Sequence, residues 1–266
     1  MFKGWLLTFG VLLSAGTAMA TDITNPFYLP YQKQIGLITS ASFRRNVNKN
    51  SLWNVKSRQF LLKEELQVGL TDSVAFIGSF GNTWDRWKGG WRAPIIKNIN
   101  ARDNENIQWA GGMAWNVLGG PTRLQVKAEY GQDRLKNFSG EYKYALGEAK
   151  FGYQFERVLP YITGGIEIPI GQKSGEKGLA GDKLIYNTKI GIYQGKCEMW
   201  SLDTGVRLTY NENEESRLVT AEAEAAYYIT PSITASVYGT YTLVGDAKYG
   251  TDIYDKSVGT RLRLFF

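Results

Sequence analysis

Histidine is absent from this chain of 266 residues, and cysteine occurs once, as Cys197. Histidine is the usual general base for Ser and Cys nucleophiles and the most common metal ligand in proteins. Its absence argues against nucleophilic enzymes of that kind, and the lone cysteine adds to the argument against a transition-metal site. One cysteine cannot form a disulfide framework. The sequence therefore predicts no enzymatic activity, no cofactor and no metal.

Long apolar runs are missing as well. Beyond the first twenty residues no apolar stretch approaches 18 residues, which excludes a helical membrane protein. The 31 Lys and Arg residues are too nearly balanced by 25 Asp and Glu residues to suggest a nucleic-acid partner. The chain has 16 Tyr and 8 Trp but only 7 Pro, which suits a protein rich in β-strands.

The N-terminus has the pattern of a secretory signal peptide. Lys3 is followed by an apolar run from Trp5 to Leu13 and by the small residues Ala18-Met19-Ala20. The apolar run is too short to cross a bilayer, and the small residues form an A-x-A cleavage site. We therefore expect residues 1–20 to be removed, which lowers the formal net charge from +6 to +5 by the loss of Lys3.

From Gln34 onward, apolar residues alternate with polar ones. A β-strand places successive side chains on opposite faces, so each such segment predicts a strand with one apolar face. In the last segment Phe266, Leu264 and Leu262 share one face, while Arg263 and Arg261 share the other. Twelve segments of this kind are found, at about 34–44, 60–70, 74–80, 107–117, 124–130, 141–155, 162–170, 184–192, 200–210, 219–229, 233–243 and 257–266.

The connections between these segments alternate between short and long. Tight turns are predicted at 71–73, 119–121, 157–160, 194–198 and 230–232, and a long loop at about 84–106. Segments of about 10 residues match tilted strands that cross a membrane. A β-sandwich fits less well, because its strands are usually shorter and both apolar faces meet inside.

The signal peptide, the alternation, the unequal connections and the terminal Phe266 together resemble Gram-negative outer-membrane β-barrel proteins of the porin-like class. No motif selects a subfamily. The resemblance implies an all-β, antiparallel, up-and-down transmembrane barrel of about twelve strands (ten to fourteen) over residues 34–266, in the cell outer membrane. It implies short periplasmic turns and Phe266 as a signal for the barrel assembly machinery, with outer-membrane lipid and lipopolysaccharide as surroundings. The outer-membrane phospholipase, omptin-like protease and lipid A deacylase families use a histidine, which this chain lacks.

Residues 21–33 are expected to be a periplasmic lead-in. Its Asn25-Pro26-Phe27 either tucks into the mouth of the barrel or belongs to a simple linker, and the sequence slightly favours the linker. Trp87 and Trp91 in the predicted long loop are interpreted as girdle or loop-packing residues rather than as a sugar platform.

If the apolar faces meet lipid, the alternate residues line the lumen. The expected lumen and selectivity residues are Arg44, Lys63, Arg123, Lys127, Lys189, Arg207, Arg261, Arg263, Glu65, Glu167, Glu222 and Glu224. This set predicts a lumen of mixed charge that is basic overall. Glu64 is an exception because it points outward, and a β-bulge or an interfacial position would explain it.

Two functions remain open from the sequence. The first is a small passive channel for small or anionic solutes, in which inward cations set the selectivity. Twelve-stranded uptake channels for acidic sugars and for nucleosides have a similar architecture, and the basic inward residues fit the former better. The second is a closed barrel whose ion pairs fill the lumen and whose extracellular loops interact with partners at the surface.

Overall fold

The protein is described by a computed structural model. The structure describes residues 22–50, 53–91, 103–135, 141–170, 183–197, 199–212, 214–248 and 250–266. The expected signal peptide, the centre of the predicted 84–106 loop and the side chains of Trp87 and Trp91 lie outside what is described.

Twelve antiparallel strands close into one barrel, and β1 completes the closure by pairing with β12. This confirms the predicted fold class and strand number. The strands are β1 Ile35–Lys49, β2 Trp53–Gly69, β3 Val74–Trp91, β4 Asp103–Leu118, β5 Thr122–Leu135, β6 Glu141–Tyr153, β7 Val158–Pro169, β8 Ile185–Cys197, β9 Trp200–Asn211, β10 Ser216–Thr230, β11 Ile233–Ala247 and β12 Thr251–Phe265. In the described residues there is no helix with the length and hydropathy that a membrane crossing requires.

The two ends of the barrel differ. At one end, here called the turn end, the connections span residues 70–73, 119–121, 154–157, 198–199 and 231–232, close to the predicted tight turns. At the other, the loop end, they span 50–52, 92–102, 136–140, 170–184, 212–215 and 248–250. The chain enters and leaves the barrel at the turn end, where the backbone of Ile35 bonds to that of Phe266.

Most strands are longer than predicted, and the extra length lies mainly at the loop end, although β7 and β8 extend instead at the turn end and β6 is slightly shorter than predicted. The strands contain 12 to 18 residues, so about half of the predicted 84–106 loop is strand, as are parts of the connections predicted after the fifth and eleventh segments. The predicted connection between the first two strands shrinks to residues 50–52. The prediction failed there because outward residues such as Arg45 and Arg58 break the apolar alternation, whereas the backbone ladder continues regardless of side-chain polarity.

The outer face of the barrel is apolar. Phe43, Ile190 and Tyr241 are each more than 60% exposed, and they share the outward side with most other large apolar residues of the strands. A soluble protein rarely exposes so continuous an apolar surface. The outward assignment made from the alternation is therefore confirmed along the strands.

Glu64 lies on this outward face and is exposed. The structure rules out the β-bulge explanation, because β2 pairs with β1 and β3 without a register shift at this position. Glu64 is opposite Thr39 on one side and Phe80 on the other, several residues from either end of β2.

The segment that precedes β1 lies inside the barrel at the turn end, so the linker interpretation is wrong. Ile23, Phe27 and Leu29 are each no more than 6% exposed. Three small apolar clusters hold them: Phe27 with Leu159, Tyr161 and Tyr193; Leu29 with Ala75, Ile77 and Ala114; Ile23 with Tyr228 and Phe265. Apolar residues on the inward face of the turn end thus receive the apolar residues of this segment, a match between positions far apart in the sequence.

The exposed Ile190, near the middle of β8, provides a test of the lipid-facing surface. We expect Ile190→Arg to lower the free energy of unfolding by about 2–4 kcal/mol, because an arginine at bilayer mid-depth must leave water. Urea titrations of the protein folded into phosphatidylcholine vesicles would measure this. Gln32→Arg, at an exposed position outside the strands, serves as the control and should be nearly neutral. Equal effects at both positions would contradict a lipid-facing Ile190.

Candidate functional site in the barrel interior

The interior holds a cavity of about 360 Å³ directly above the N-terminal segment. Six cations and four carboxylates contribute to its wall: Lys63, Lys150, Lys189, Arg207, Arg261, Arg263, Glu65, Glu148, Asp203 and Glu224. Each stands on a strand at a position that alternates with outward apolar residues, so the period of two places all of them inside. The cavity wall is therefore highly charged and has a small excess of positive groups.

Lys189 lies at the centre of one ion-pair network. Its Nζ is 3.4 Å from Asp203 Oδ2 and 3.4 Å from Glu222 Oε2, and Arg207 Nε is 2.6 Å from Glu222 Oε1. Tyr161 donates a hydrogen bond of 2.8 Å to Asp203. The network joins β7, β8, β9 and β10 and brings together three of the residues expected in the lumen.

Glu224 organises a second network. Its carboxylate accepts from Arg261 Nη1 at 2.5 Å, from Arg263 Nη2 at 2.6 Å and from Ser236 Oγ at 2.6 Å. Both arginines line the cavity; Arg263 is only 9% exposed, and the guanidinium carbon of Arg261 lies 4.7 Å from the centroid of the Tyr238 ring. One carboxylate thus compensates two guanidinium groups on β12.

The other expected lumen residues are distributed around the wall. Lys127 pairs with Glu129, Lys63 lies 3.7 Å from Glu65, and Glu167 accepts a 2.5 Å hydrogen bond from Tyr142. Arg123 lies on β5 opposite Gly152, and its Nε has no hydrogen-bond partner among the described residues.

Arg44 does not join the β12 arginines, although β1 closes against β12. It is opposite Ser257 and donates from Nε to Asp255 Oδ2 at 2.7 Å, nearer the loop end than Arg261.

The balance of charge changes along the barrel. Asp85, Asp133 and Asp255 also occupy inward positions, at the loop-end parts of β3, β5 and β12. The sequence prediction missed them because it assigned these stretches to loops. The mixed charge is as expected, but among the described residues the cationic excess is limited to the cavity and does not extend over the whole inward face.

The floor of the cavity is made by polar atoms of the N-terminal segment. Asp22 accepts hydrogen bonds from the hydroxyls of Tyr193 (2.5 Å) and Tyr228, and Thr24 Oγ1 lies 2.7 Å from both of these hydroxyls and from Ser201 Oγ. These contacts fix the beginning of the segment to β8, β9 and β10.

Backbone carbonyls fix its middle. Lys150 Nζ donates to the carbonyl of Pro26 at 2.8 Å, while the amides of Asn116 and Gln125 donate to that of Phe27 at 3.2 Å each. Tyr28 follows and donates 2.6 Å to Gln34 Oε1; burial raises the pKa of this phenol. The segment thereby spans the width of the turn end and leaves the cavity on its loop-end side.

Sequence reasoning did not identify the inward tyrosines that hold this floor, Tyr161, Tyr193 and Tyr228. Their positions in the alternation were a usable signal, because Tyr161 and Tyr193 flank the outward Ile162 and Ile192. An aromatic residue is compatible with either face of a strand, however. The alternation alone therefore did not indicate which residues these tyrosines contact.

Comparison with known proteins identifies the architecture. No family model matches the chain, and no curated protein sequence does. Among solved structures, an outer membrane channel from Pseudomonas putida F1 is similar with a TM-score of 0.66 at 12% identity, covering 92% of this chain and 100% of that one. The translocator domain of the autotransporter NalP from Neisseria meningitidis gives 0.59 at 11% identity, covering 87% and 88%. The Ralstonia pickettii toluene transporter TbuX gives 0.51 at 8% identity, covering 90% of each chain. The chain thus has the fold of outer-membrane β-barrels.

The Glu224 network yields a stability prediction. Glu224→Gln leaves two neighbouring guanidinium groups without their counter-charge, and we expect a loss of about 1–3 kcal/mol in the free energy of unfolding. Urea unfolding of the protein in vesicles would measure it. Glu215→Gln is the matched control, because Glu215 pairs with Lys248 at an exposed position between strands, where water screens the pair. If the Glu224 variant were no less stable than this control, the network would be irrelevant to folding.

Proposed function

We propose that this protein is a passive channel of the Gram-negative outer membrane for small polar solutes. The observation that carries the proposal is the combination of an apolar outer wall with a charged cavity inside a closed barrel. The structural likeness to outer-membrane channels supports the location and the general role. The loop end then faces the cell exterior and the turn end the periplasm, as the unequal connections suggest.

The cavity limits the size of the solute. Its volume of about 360 Å³ is at the lower end of the roughly 300–1,000 Å³ that ligand pockets occupy. Below it, the N-terminal segment narrows the route to the periplasm. The segment is held by side-chain hydrogen bonds and by three small apolar clusters, so it can shift without breaking the barrel ladder. We infer that this segment controls conductance.

The residues expected in the lumen are the proposed determinants of selectivity. Lys63, whose side chain is 42% exposed, and Arg261 combine accessibility with a place on the cavity wall. The inward carboxylates near the loop end act against the cavity cations, so the proposed anion preference is modest. The lack of histidine supports a role that is not enzymatic. Cleavage after Ala20 and recognition of Phe266 by the assembly machinery remain proposals.

A closed barrel that acts through its outer loops is the second candidate. The N-terminal segment across the turn end and the paired interior charges favour it, because both reduce the open cross-section. The two candidates differ in whether ions pass, which a direct measurement decides.

Single-channel recording in planar bilayers tests the channel. We expect small discrete steps for the wild type and larger steps for a variant carrying Asp22→Ala, Thr24→Ala and Phe27→Ala, because these changes release the N-terminal segment. Heat-modifiable migration on gels confirms folding, and Gln32→Ala is the matched control. If the wild type and the variants are folded but show no conductance steps, the closed barrel is favoured. If all of them show steps of equal size, the N-terminal segment does not control conductance.

Reversal potentials in a salt gradient test selectivity. Arg261→Ser with Arg263→Ser leaves Glu224 as an uncompensated carboxylate, so we expect the preference to move from anions toward cations. Arg134→Ser with Arg217→Ser, on the outer wall, is the matched control and should leave the reversal potential unchanged. An unchanged value in the lumen variant would exclude these arginines as determinants.

A further inference from the structure

A row of positive side chains crosses the outside of the barrel near the loop end. Lys256 of β12 is directly opposite Arg45 of β1, which is opposite Arg58 of β2, and Arg86 of β3 continues the row. All four are exposed, and all four occupy strand positions whose side chains point outward. Like charges directly opposite one another destabilise a sheet, so the row requires compensation from elsewhere.

Three other outward cations at the loop end are arranged differently. Lys49 is opposite Asp252, Arg134 is opposite Glu141, and Arg217 is opposite Asp246. By contrast, none of Lys256, Arg45 and Arg58 forms an ion pair with a carboxylate in the described part of the chain. No carboxylate of the described residues therefore compensates these three cations.

An aromatic row lies immediately beside the cations, two residues along each strand toward the turn end. Phe43, Phe60 and Trp84 are cross-strand neighbours, with ring centroids 4.9 Å and 5.5 Å apart. Aromatic girdles mark the boundary between hydrocarbon and headgroups in membrane barrels. The cations consequently stand at headgroup depth.

The register also creates a pocket beside this row. Between Tyr241 and Asp246 the pairing of β11 with β12 is interrupted. Here a cavity of about 160 Å³ opens in the wall, and its lining includes Arg45, Val47, Tyr241, Tyr254 and Lys256. Asp255 also lines it, but its carboxylate bonds to the inward-facing Arg44 and so does not neutralise these cations.

The edge of this pocket is stabilised locally. Thr242 Oγ1 accepts from the Asp255 amide at 2.7 Å and donates to the Asp255 carbonyl at 2.8 Å, which replaces the missing ladder bonds. Tyr241 and Tyr254 are 61% and 56% exposed, so both rings remain available at the rim.

We propose that this pocket and the adjoining cation row bind a phosphate group of an anionic lipid headgroup in the leaflet at the loop end. Arginine and lysine form strong charge-assisted hydrogen bonds with phosphate, and arginine can do so with two parallel donors. The acyl chains lie along Phe43, Phe60 and Trp84, and the tyrosine hydroxyls reach the headgroup. This binding is independent of whether the lumen conducts.

Native mass spectrometry of the detergent-solubilised full-length protein tests the proposal, with diphosphorylated lipid A as the probe. We expect the wild type to retain the lipid, and Arg45→Gln with Arg58→Gln and Lys256→Gln to bind at least tenfold more weakly. Arg134→Gln with Arg217→Gln is the matched control and should bind within about twofold of the wild type. Arg45→Lys with Arg58→Lys, which preserves the charge, should recover most of the binding. Heat-modifiable migration verifies that each variant is folded.

Three outcomes would overturn the proposal. One is that the wild type retains phosphorylated lipid A no better than its dephosphorylated form. Another is an equal loss in the control variant, which would indicate attraction by overall charge. The third is displacement of the lipid by excess inorganic phosphate alone, which would indicate a site for a small anion and not for a lipid headgroup.

Discussion

The closure of β1 against β12 is the constraint on which the rest of the structure depends. In hydrocarbon an unpaired backbone amide or carbonyl costs several kcal/mol, so a spanning sheet must leave no edge. The pairing from Gly36 with Phe265 to Lys49 with Asp252 satisfies fourteen consecutive positions of both strands. Once the sheet is closed, the period of two assigns every strand residue either to the lipid side or to the interior.

The interior then has to accommodate charges in a confined space. A charge that loses water without a partner is costly, and removing one member of a buried pair costs more than the pair contributes. The networks around Lys189 and Glu224 meet this requirement by sharing each carboxylate among several donors. The N-terminal segment meets it at the turn end, where its carbonyls accept from Lys150, Asn116 and Gln125. The same contacts that close this end also define the cavity, so stability and any solute pathway are linked.

The outer wall carries information of a different kind. It has an apolar band, an aromatic row beside this band, and a row of cations beyond the aromatic row, which fits the order of hydrocarbon, interface and headgroups in a membrane. Because these three zones follow one another within a few residues on β1 and β2, the protein has little freedom to shift along the membrane normal. The outward Glu64 departs from this order within the apolar band.

The sequence by itself determined the class of fold and the side on which each strand residue lies, because the period-two alternation is local and twelve segments repeat it. Leu262 and Leu264 were placed outward, and Lys189, Arg207 and Glu224 inward, from this pattern alone. The prediction failed where the alternation stopped. Asp85, Asp133 and Asp255 lie on strands that continue past the apolar band, and the backbone hydrogen bonds that hold these parts of the strands cannot be recognised from the side chains.

Only the tertiary structure decided which charges meet and where the N-terminal segment goes. Arg261, Arg263 and Glu224 come together because β10, β11 and β12 are neighbours in register. Arg44 pairs with Asp255 because it lies nearer the loop end of β1 than the positions opposite Arg261 and Arg263. Phe27 enters the barrel because Leu159, Tyr161 and Tyr193 present apolar surface more than a hundred residues away in the chain. Such contacts depend on register and closure, which arise from the whole sheet and not from any single segment.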